Sequence, residues 1–330
     1  MKLGWPVEIV GTGMWLPETV VTNDDLARVV DTTNDWIVQR TGIRERRRAK
    51  PEEATLLLAT RASQAALADA GVTPEEVDAI IVATVTPEYQ LPATASLLQT
   101  ELGCRWIQAF DLGAACSGFV WAFQVGAQQI ITGVARTVLV VGAETLTRIT
   151  DQQDRGTCVL FGDAAGAVVL RAATDPARSI LAMRAGADGA RGRLIYIPGG
   201  GSKEPASHRT VDERLHYMHM QGREVYKFAV TQMHTVLDET CADAGVSVSD
   251  LKLVIPHQSN LRIIESACEK AGLPMEKVLI NIDRYGNTSA ASVAVGLHEA
   301  RAEGRIGPGD LVMLLAFGAG LTWGSVLLRM

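Results

Sequence analysis

One cysteine in this 330-residue chain stands where a nucleophile would stand. In Phe110-Asp-Leu-Gly-Ala-Ala-Cys116-Ser-Gly-Phe119 a strand pattern runs into small residues, and a helical pattern begins at or just after Cys116. Small neighbours permit a close backbone turn, and a helix N-terminus offers unpaired N–H groups carrying partial positive charge. That placement predicts a thiol pKa below its free value of about 8.5, which favours the nucleophilic thiolate. A buried structural cysteine is the alternative, and placement alone does not choose between them. For Cys104, Cys158, Cys241 and Cys268 the structural reading stands.

A nucleophilic cysteine needs partners. Pro256-His257-Gln-Ser-Asn260 sets a histidine at the carboxyl end of an apolar run, where open α/β sheets gather their ligands. His208, His216 and His219 fall instead in a polar stretch that reads as solvated loop. Tyr285-Gly-Asn287-Thr-Ser-Ala-Ala291 is a second small-residue loop opening a helix; taken alone, its asparagine reads as a turn or N-cap residue.

The elements that must position these residues are legible from internal repetition. Ala68-Asp-Ala-Gly-Val72 returns as Ala242-Asp-Ala-Gly-Val246, 174 positions later. At the same offset Val138-Leu-Val-Val-Gly142 lies opposite Val312-Met-Leu-Leu-Ala316, and Gly133 opposite Gly307. The chain therefore reads as two related halves, 1–174 carrying the cysteine and 175–330 carrying the histidine and asparagine, divided beside the Asp175-Pro176 turn signal. In each half apolar runs of strand length (79–84, 138–142, 253–256, 311–316) alternate with helical patterns (56–70, 117–132, 225–244, 291–302). Near-continuous apolar strands predict sheets covered on both faces by helices, hence a layered α/β protein. Residues 11–50 and 185–222 are the segments least alike between the halves, and ligand-specific loops are expected there.

Composition excludes several function classes. A hydrophobic content of 47% with 21% charged residues describes a globular protein with a substantial core. The net charge of −6 argues against a nucleic-acid partner, so an acidic ligand must be met by a local basic patch. Five widely spaced cysteines without a CxxC pair predict free thiols, no metal site and a reducing compartment, and the opening Met1-Lys2-Leu3-Gly4-Trp5-Pro6 lacks a secretory apolar stretch; the expected location is cytoplasmic. Leu311–Leu328 is 18 residues without charge, but its glycines at 318, 320 and 324 read better as two strands joined at Phe317-Gly-Ala-Gly320 than as a membrane span. Gly199-Gly-Gly201-Ser-Lys203 lacks phosphate-loop spacing, and Gly11-Thr-Gly13 lacks a third glycine, so a nucleotide-dependent dehydrogenase is not expected.

Taken together, the motifs match a family. The chain resembles the ketoacyl synthase III group of thiolase-like condensing enzymes over essentially its whole length. The resemblance rests on Asp31-Thr-Thr-Asn-Asp-Trp36-Ile-Val-Gln-Arg40-Thr41-Gly42-Ile43, Ala114-Ala-Cys116-Ser-Gly118, Phe161-Gly-Asp163-Ala-Ala-Gly166, Pro256-His257-Gln-Ser-Asn260-Leu-Arg262, Tyr285-Gly-Asn287-Thr-Ser-Ala290 and Phe317-Gly-Ala-Gly320-Leu-Thr-Trp323-Gly324. It implies a five-layer αβαβα fold of two duplicated halves, a homodimer and a Cys116–His257–Asn287 triad. The implied reaction loads an acyl group from acyl-CoA onto Cys116 and extends it by decarboxylative Claisen condensation with malonyl-acyl carrier protein, initiating fatty acid synthesis. Coenzyme A enters as part of a substrate, and no cofactor is implied.

Residue by residue, the resemblance implies an oxyanion hole at the Cys116 N–H and the Ala319–Gly320 region. Trp36 would stack on adenine, with Arg40, Arg155 and Thr41 around the nucleotide end. Asn260 would meet the pantetheine arm, Phe161 would line the tunnel, and Leu91 would close the acyl pocket of the neighbouring subunit. Arg262, Lys227 and Lys270 would receive the acidic carrier protein, joined by Arg44–Arg48 unless that run is solvated surface. Two positions depart from the family: Arg223 stands where asparagine is common, and Leu91 where many members carry an aromatic residue. A plain core leucine is the alternative at Leu91. Two other readings stay open, a secondary-metabolism condensing enzyme or acyltransferase of polyketide or quinolone type, and a non-catalytic carrier-binding partner subunit.

Overall fold

Two mixed β-sheets built to the same plan form the frame of the protein, described here as a computed structural model of residues 5–175 and 177–330. The elements used below are β1 (Val7–Trp15), α1 (Asn34–Thr41), α2 (Thr55–Ala70), β2 (Ala79–Ala83), α3 (Thr94–Glu101), β3 (Gln108–Leu112), α4 (Gly118–Ile131), β4 (Thr137–Thr145), β5 (Asp163–Ala172), β6 (Ser179–Ala187), α5 (Gly222–Ala244), β7 (Leu253–Pro256), α6 (Leu261–Ala271), α7 (Ala291–Ala302), β8 (Leu311–Gly318) and β9 (Thr322–Arg329). The first sheet has the order β1-β5-β4-β2-β3, and the second β6-β9-β8-β7. Strand for strand the second sheet repeats the first, and a parallel bridge from Val254 to Val278 stands at the position of the missing fifth strand. One sheet is drawn wholly from residues 7–172 and the other from 179–329. Of the expected boundary signal Pro176 lies outside the described residues, as do the first four residues of the N-terminus.

The layering follows from strand periodicity, since successive side chains leave a strand on opposite faces. Ala79, Ile81 and Ala83 of β2 and Val138 and Val140 of β4 pack inward, together with Phe119 and Phe123 of α4 and Val293 and Leu297 of α7. The alternate residues Ile80, Val82, Leu139 and Val141 face outward onto Leu58, Ala62 and Ala66 of α2 and Leu98 of α3. In the second sheet Val312, Leu314 and Ala316 join the central layer, whereas Met313, Leu315 and Phe317 face α5 and α6. Buried on both faces, these strands have no polar face to show, which is why they read as unbroken apolar runs. The result is the αβαβα order, with α4 and α7 sandwiched between the sheets.

Leu311–Leu328 is resolved into β8 and β9, paired antiparallel from Leu311–Arg329 to Gly318–Thr322. Among the described residues no helix is long and apolar enough to cross a membrane.

Candidate active site

The two loops that close the central layer bring both halves of the chain to one cavity. It encloses about 360 Å³, and its wall includes Cys116 from the first half and His257, Asn287 and Ala319 from the second. The rest of the wall is largely apolar, with Phe161, Ile195, Met220, Phe228, Phe317 and Leu321 among it.

Cys116 lies in a single 3-10 turn, Ala115–Ser117, that feeds directly into α4. Ala115 before it takes a positive φ of 46°, so the turn is held in a conformation that side chains disfavour. Ser117 ties the turn down through its hydroxyl, which lies 2.8 Å from Ala114 O and 2.6 Å from Thr322 Oγ1. Gly318, at the end of β8, runs so close that a Cβ there would lie 2.7 Å from Cys116 N. The thiol does not have the lowered pKa expected of it. The thiol opens into the cavity yet is enclosed by protein, and desolvation pushes it up to about 12. The Ser289 hydroxyl and the cysteine's own N–H pull downward, while the Glu144 carboxylate adds to the rise. Burial outweighs the helix terminus because enclosure by protein strips the thiolate of solvation.

His257 follows β7 and is fixed by its own N–H donating to Leu315 O at 2.7 Å. Its Nδ1 stands 2.7 Å from Ser292 Oγ, which leaves Nε2 for the cavity, and Phe317 meets the ring edge-on at 5.7 Å. Burial lowers the imidazole pKa to about 3, so the ring is neutral at any physiological pH. Asn287 is oriented by Ser289, whose N–H donates to its Oδ1 at 2.9 Å; the amide nitrogen is thereby left for the cavity. The backbone of Asn287 is woven into the Phe161 segment: its N–H donates to Leu160 O at 2.8 Å and its carbonyl accepts from Gly162 at 3.0 Å. That crossing needs glycine, because a Cβ on Gly162 would come within 2.3 Å of Tyr285 O. Asp163, the third residue of the Phe161 motif, is buried and accepts from Ala49, Thr147 N and Thr147 Oγ1. It anchors neighbouring loops and stays out of the cavity.

Trp36, Arg40, Arg155 and Asn260 come together outside the cavity. Two guanidiniums stand within cation–π distance of the Trp36 ring, Arg40 at 4.7 Å and Arg155 at 5.0 Å from its centre, which gathers an aromatic surface and positive charge in one place. Asn260 links this platform to the cavity, lining the latter while its Nδ2 donates to Arg40 O at 3.0 Å. Its Oδ1 caps α6 by accepting from Arg262 N at 2.9 Å.

Three expectations fail, and so does the alternative reading of Leu91 as a core residue. Thr41 is buried, and its hydroxyl donates to Ile37 O at 2.7 Å and accepts from Ile43 N, so it closes the end of α1 and faces no ligand. Gly320 is not on the cavity wall although Gly318 and Ala319 are; the chain has turned at Gly320 (φ 135°) into β9. Leu91 is 87% exposed, which excludes the core reading, and it lines no part of its own chain's cavity. Within Arg44–Arg48, Arg46 is buried among carbonyls of Val21 and Val159 and Asn23 Oδ1, and desolvation lowers it to about 10. That run is a half-buried strand paired with Thr19–Thr22, which leaves Arg44 as its one fully exposed arginine. Arg223, Arg262, Lys227 and Lys270 are exposed, with Lys227 paired to Glu224 at 3.1 Å.

Sequence reading missed Glu144, Ser289, Ser292 and Gly318. Glu144 carried a signal, a lone acid near the end of the unbroken apolar run of β4; Ser289 sat unremarked within a motif already assigned to its asparagine, and Ser292 just beyond it. The divergent segment 185–222 does supply cavity wall, through Ile195, Tyr196, Ile197, Met218 and Met220.

Residues 110–189 match the family described as 3-oxoacyl-[acyl-carrier-protein] synthase III, and residues 241–330 match its C-terminal region. The β-ketoacyl-[acyl-carrier-protein] synthase III of Symbiobacterium thermophilum is 52% identical over 98% of both chains. The crystal structure of 3-oxoacyl-[acyl-carrier-protein] synthase III from Aquifex aeolicus superposes with a TM-score of 0.91 at 47% identity, covering 98% of this chain and 100% of that one. The priming β-ketosynthase of the R1128 polyketide pathway has the same TM-score at 34% identity, covering 99% and 97%.

Proposed function

The chain belongs to the 3-oxoacyl-[acyl-carrier-protein] synthase III family, and from that premise we propose that Cys116, His257 and Asn287 divide its reaction between them. The protein is an acyltransferase that condenses an acyl-CoA starter with malonyl-acyl carrier protein, the step that begins fatty acid synthesis. The observation that carries the assignment of roles is the convergence of all three side chains, from both halves, on one apolar cavity.

In the first half-reaction the Cys116 sulfur attacks the thioester carbonyl, CoA departs as its thiol, and the acyl group stays covalently bound. The N–H groups of Cys116 and Ala319 receive the oxyanion. In the second, the malonyl thioester loses carbon dioxide and negative charge develops on its carbonyl oxygen. His257 Nε2–H and the Asn287 amide donate to that enolate, whose carbon then attacks acyl-Cys116. This role requires Nδ1 to accept from the Ser292 hydroxyl, whose other acceptor is Ser289 O at 2.8 Å. The ring tautomer and that one hydroxyl are therefore coupled. Incubation with acyl-CoA alone should leave one acyl adduct per chain by intact mass, mapped by peptide digestion to Cys116; an adduct on any other cysteine would refute the assignment.

The Trp36–Arg40–Arg155 stack receives the nucleotide end of CoA in this reading, and Asn260 the pantetheine arm. Arg262, Lys227 and Lys270 offer positive charge to the acidic carrier. We place the enzyme in a reducing, cytoplasmic setting, with all five cysteines free. It works as a homodimer, joined along the sheet edge at β3; the neighbouring Trp106, 97% exposed, and Leu91 supply apolar surface for a second copy to cover.

Leu91 then reaches the partner's acyl pocket. A leucine there leaves more room than phenylalanine, and each extra buried methylene is worth about 0.8 kcal/mol, roughly fourfold in preference. Relative kcat/KM for acetyl-, isobutyryl- and hexanoyl-CoA should shift toward acetyl in Leu91→Phe. Unchanged ratios would remove Leu91 from the pocket.

A further inference from the structure

Behind the nucleophile lies a buried carboxyl that the reaction as described leaves unused. Glu144, near the end of β4, is wholly buried. Its Oε2 accepts from Thr86 Oγ1 at 2.7 Å, from Val85 N at 3.1 Å and from Thr84 Oγ1 at 3.3 Å. These donors come from the Thr84–Thr86 segment, of which Val85 also lines the cavity. Toward the cavity stands Ser289, whose hydroxyl is buried and closes a full hydrogen bond with no partner. That hydroxyl nevertheless faces both the Cys116 thiol and the Glu144 carboxyl, lowering the pKa of each as a donor does. Ser289 is held there at a positive φ of 47°, an outlier for a residue with a side chain.

We propose that Glu144 takes up the Cys116 thiol proton through the Ser289 hydroxyl during acylation, and returns it to the departing thiolate. The inference rests on Cys116 being the acyl acceptor. As the sulfur attacks the thioester carbonyl, the S–H bond breaks and its proton passes to Ser289 Oγ, while the Ser289 proton passes to Glu144. When the tetrahedral oxyanion collapses, the C–S bond to CoA breaks with its electron pair on the CoA sulfur. The proton retraces the path to that thiolate, leaving Glu144 ionised, acyl-Cys116 and free CoA thiol. The buried site carries one negative charge throughout, first on the carboxylate and then on the sulfur and oxyanion, so two anions never share a dry cavity.

The alternative acceptor fits less well. The His257 ring is buried, has its Nδ1 engaged by Ser292, and is held near 3, too weak a base to take the thiol proton at neutral pH. Glu144, raised to about 7 by desolvation, is poised to accept and to release. The groups packed against the carboxyl are the hydroxyls of Thr84, Thr86 and Ser289 and the Val85 amide, none of which titrates near neutrality. The titratable group that shares the Ser289 hydroxyl with it is the Cys116 thiol, whereas the His257 ring is engaged by Ser292.

The test is single-turnover acylation by acetyl-CoA, read by quenched intact mass from pH 5.5 to 8.5, in wild type, Glu144→Gln, Glu144→Asp and Ser289→Ala. Wild-type acylation should climb with pH through a midpoint near 7, because the ionised carboxylate is the active form. Glu144→Gln and Ser289→Ala should be slower by about a hundredfold at pH 8 and lose that rising limb. Glu144→Asp should restore part of the rate together with the limb. Malonyl decarboxylation, measured separately, should fall far less in all three. Wild-type rate and pH profile in Glu144→Gln would overturn the relay, as would an equal loss in both half-reactions, which marks a structural role. An adduct in wild type away from Cys116 would overturn the assignment of the nucleophile itself, a result distinct from either.

Discussion

His257→Ala and Asn287→Ala should each still acylate Cys116 but lose malonyl decarboxylation by about a hundred- to a thousandfold. The reason is what each side chain has left to give. Ser289 holds the Asn287 carbonyl oxygen, so the amide N–H groups remain for the cavity, and Ser292 occupies the far side of the imidazole. Both groups are neutral donors in an enclosed, largely apolar cavity, where one lost donor to a developing oxyanion costs that much in rate. Both donors serve one oxygen, so the double variant should lose little more than either single. The neutrality of the ring has its own consequence. With its pKa lowered to about 3, the imidazole gains a proton only far below physiological pH, so decarboxylation should stay flat across pH 5 to 8 where a free histidine would titrate. A decarboxylation midpoint near 6.5, or wild-type condensation in either single variant, would sink these roles. Release of labelled carbon dioxide from malonyl-acyl carrier protein, beside intact mass for acylation, separates the two half-reactions.

Gly318→Ala should reduce acylation by about a hundredfold or more while leaving the fold in place. Its new methyl would stand 2.7 Å from Cys116 N and 3.1 Å from both Cys116 Cβ and Ser117 N. Those are backbone and near-backbone atoms, which cannot rotate away as a flexible side chain would. Either β8 retreats or the nucleophile's turn moves, and both displace the Cys116 N–H from the oxygen it must receive; a shift of about 1 Å is enough to cost that factor. Gly307→Ala is the matched control, since nothing lies within 4 Å of a Cβ there, and it should acylate normally. Circular dichroism and a melting curve on Gly318→Ala distinguish a displaced turn from an unfolded chain. Wild-type acylation in Gly318→Ala would show that the turn accommodates the methyl and that the contact does not hold the nucleophile.

Sequence by itself determined the layering, because the information is local and periodic. Unbroken apolar runs at 79–83, 138–142, 253–256 and 311–316 mean strands covered on both faces, and the 174-residue repeat means that whatever one half builds the other builds again. The resemblance carried by its motifs also marked Cys116 where a strand pattern gives way to a helix, His257 at the carboxyl end of an apolar strand, and Asn287 in a small-residue loop opening a helix. What it did not determine depends on segments that meet only in space. That Cys116 is a protonated thiol, against the pull of its helix, follows from the enclosure contributed by residues such as Phe161, Phe317 and Leu321, distant from it in the chain. Thr41 sits inside a ligand-like motif, yet its hydroxyl turns back onto its own helix, and no pattern of residue types tells those two directions apart. Glu144 was visible as an acid in an apolar strand, but its closeness to the nucleophile exists only because the Ser289 loop, 145 positions further on, packs between them. Periodicity sets which face a residue takes; burial, proton affinity and partnership are set by what the rest of the chain brings against that face.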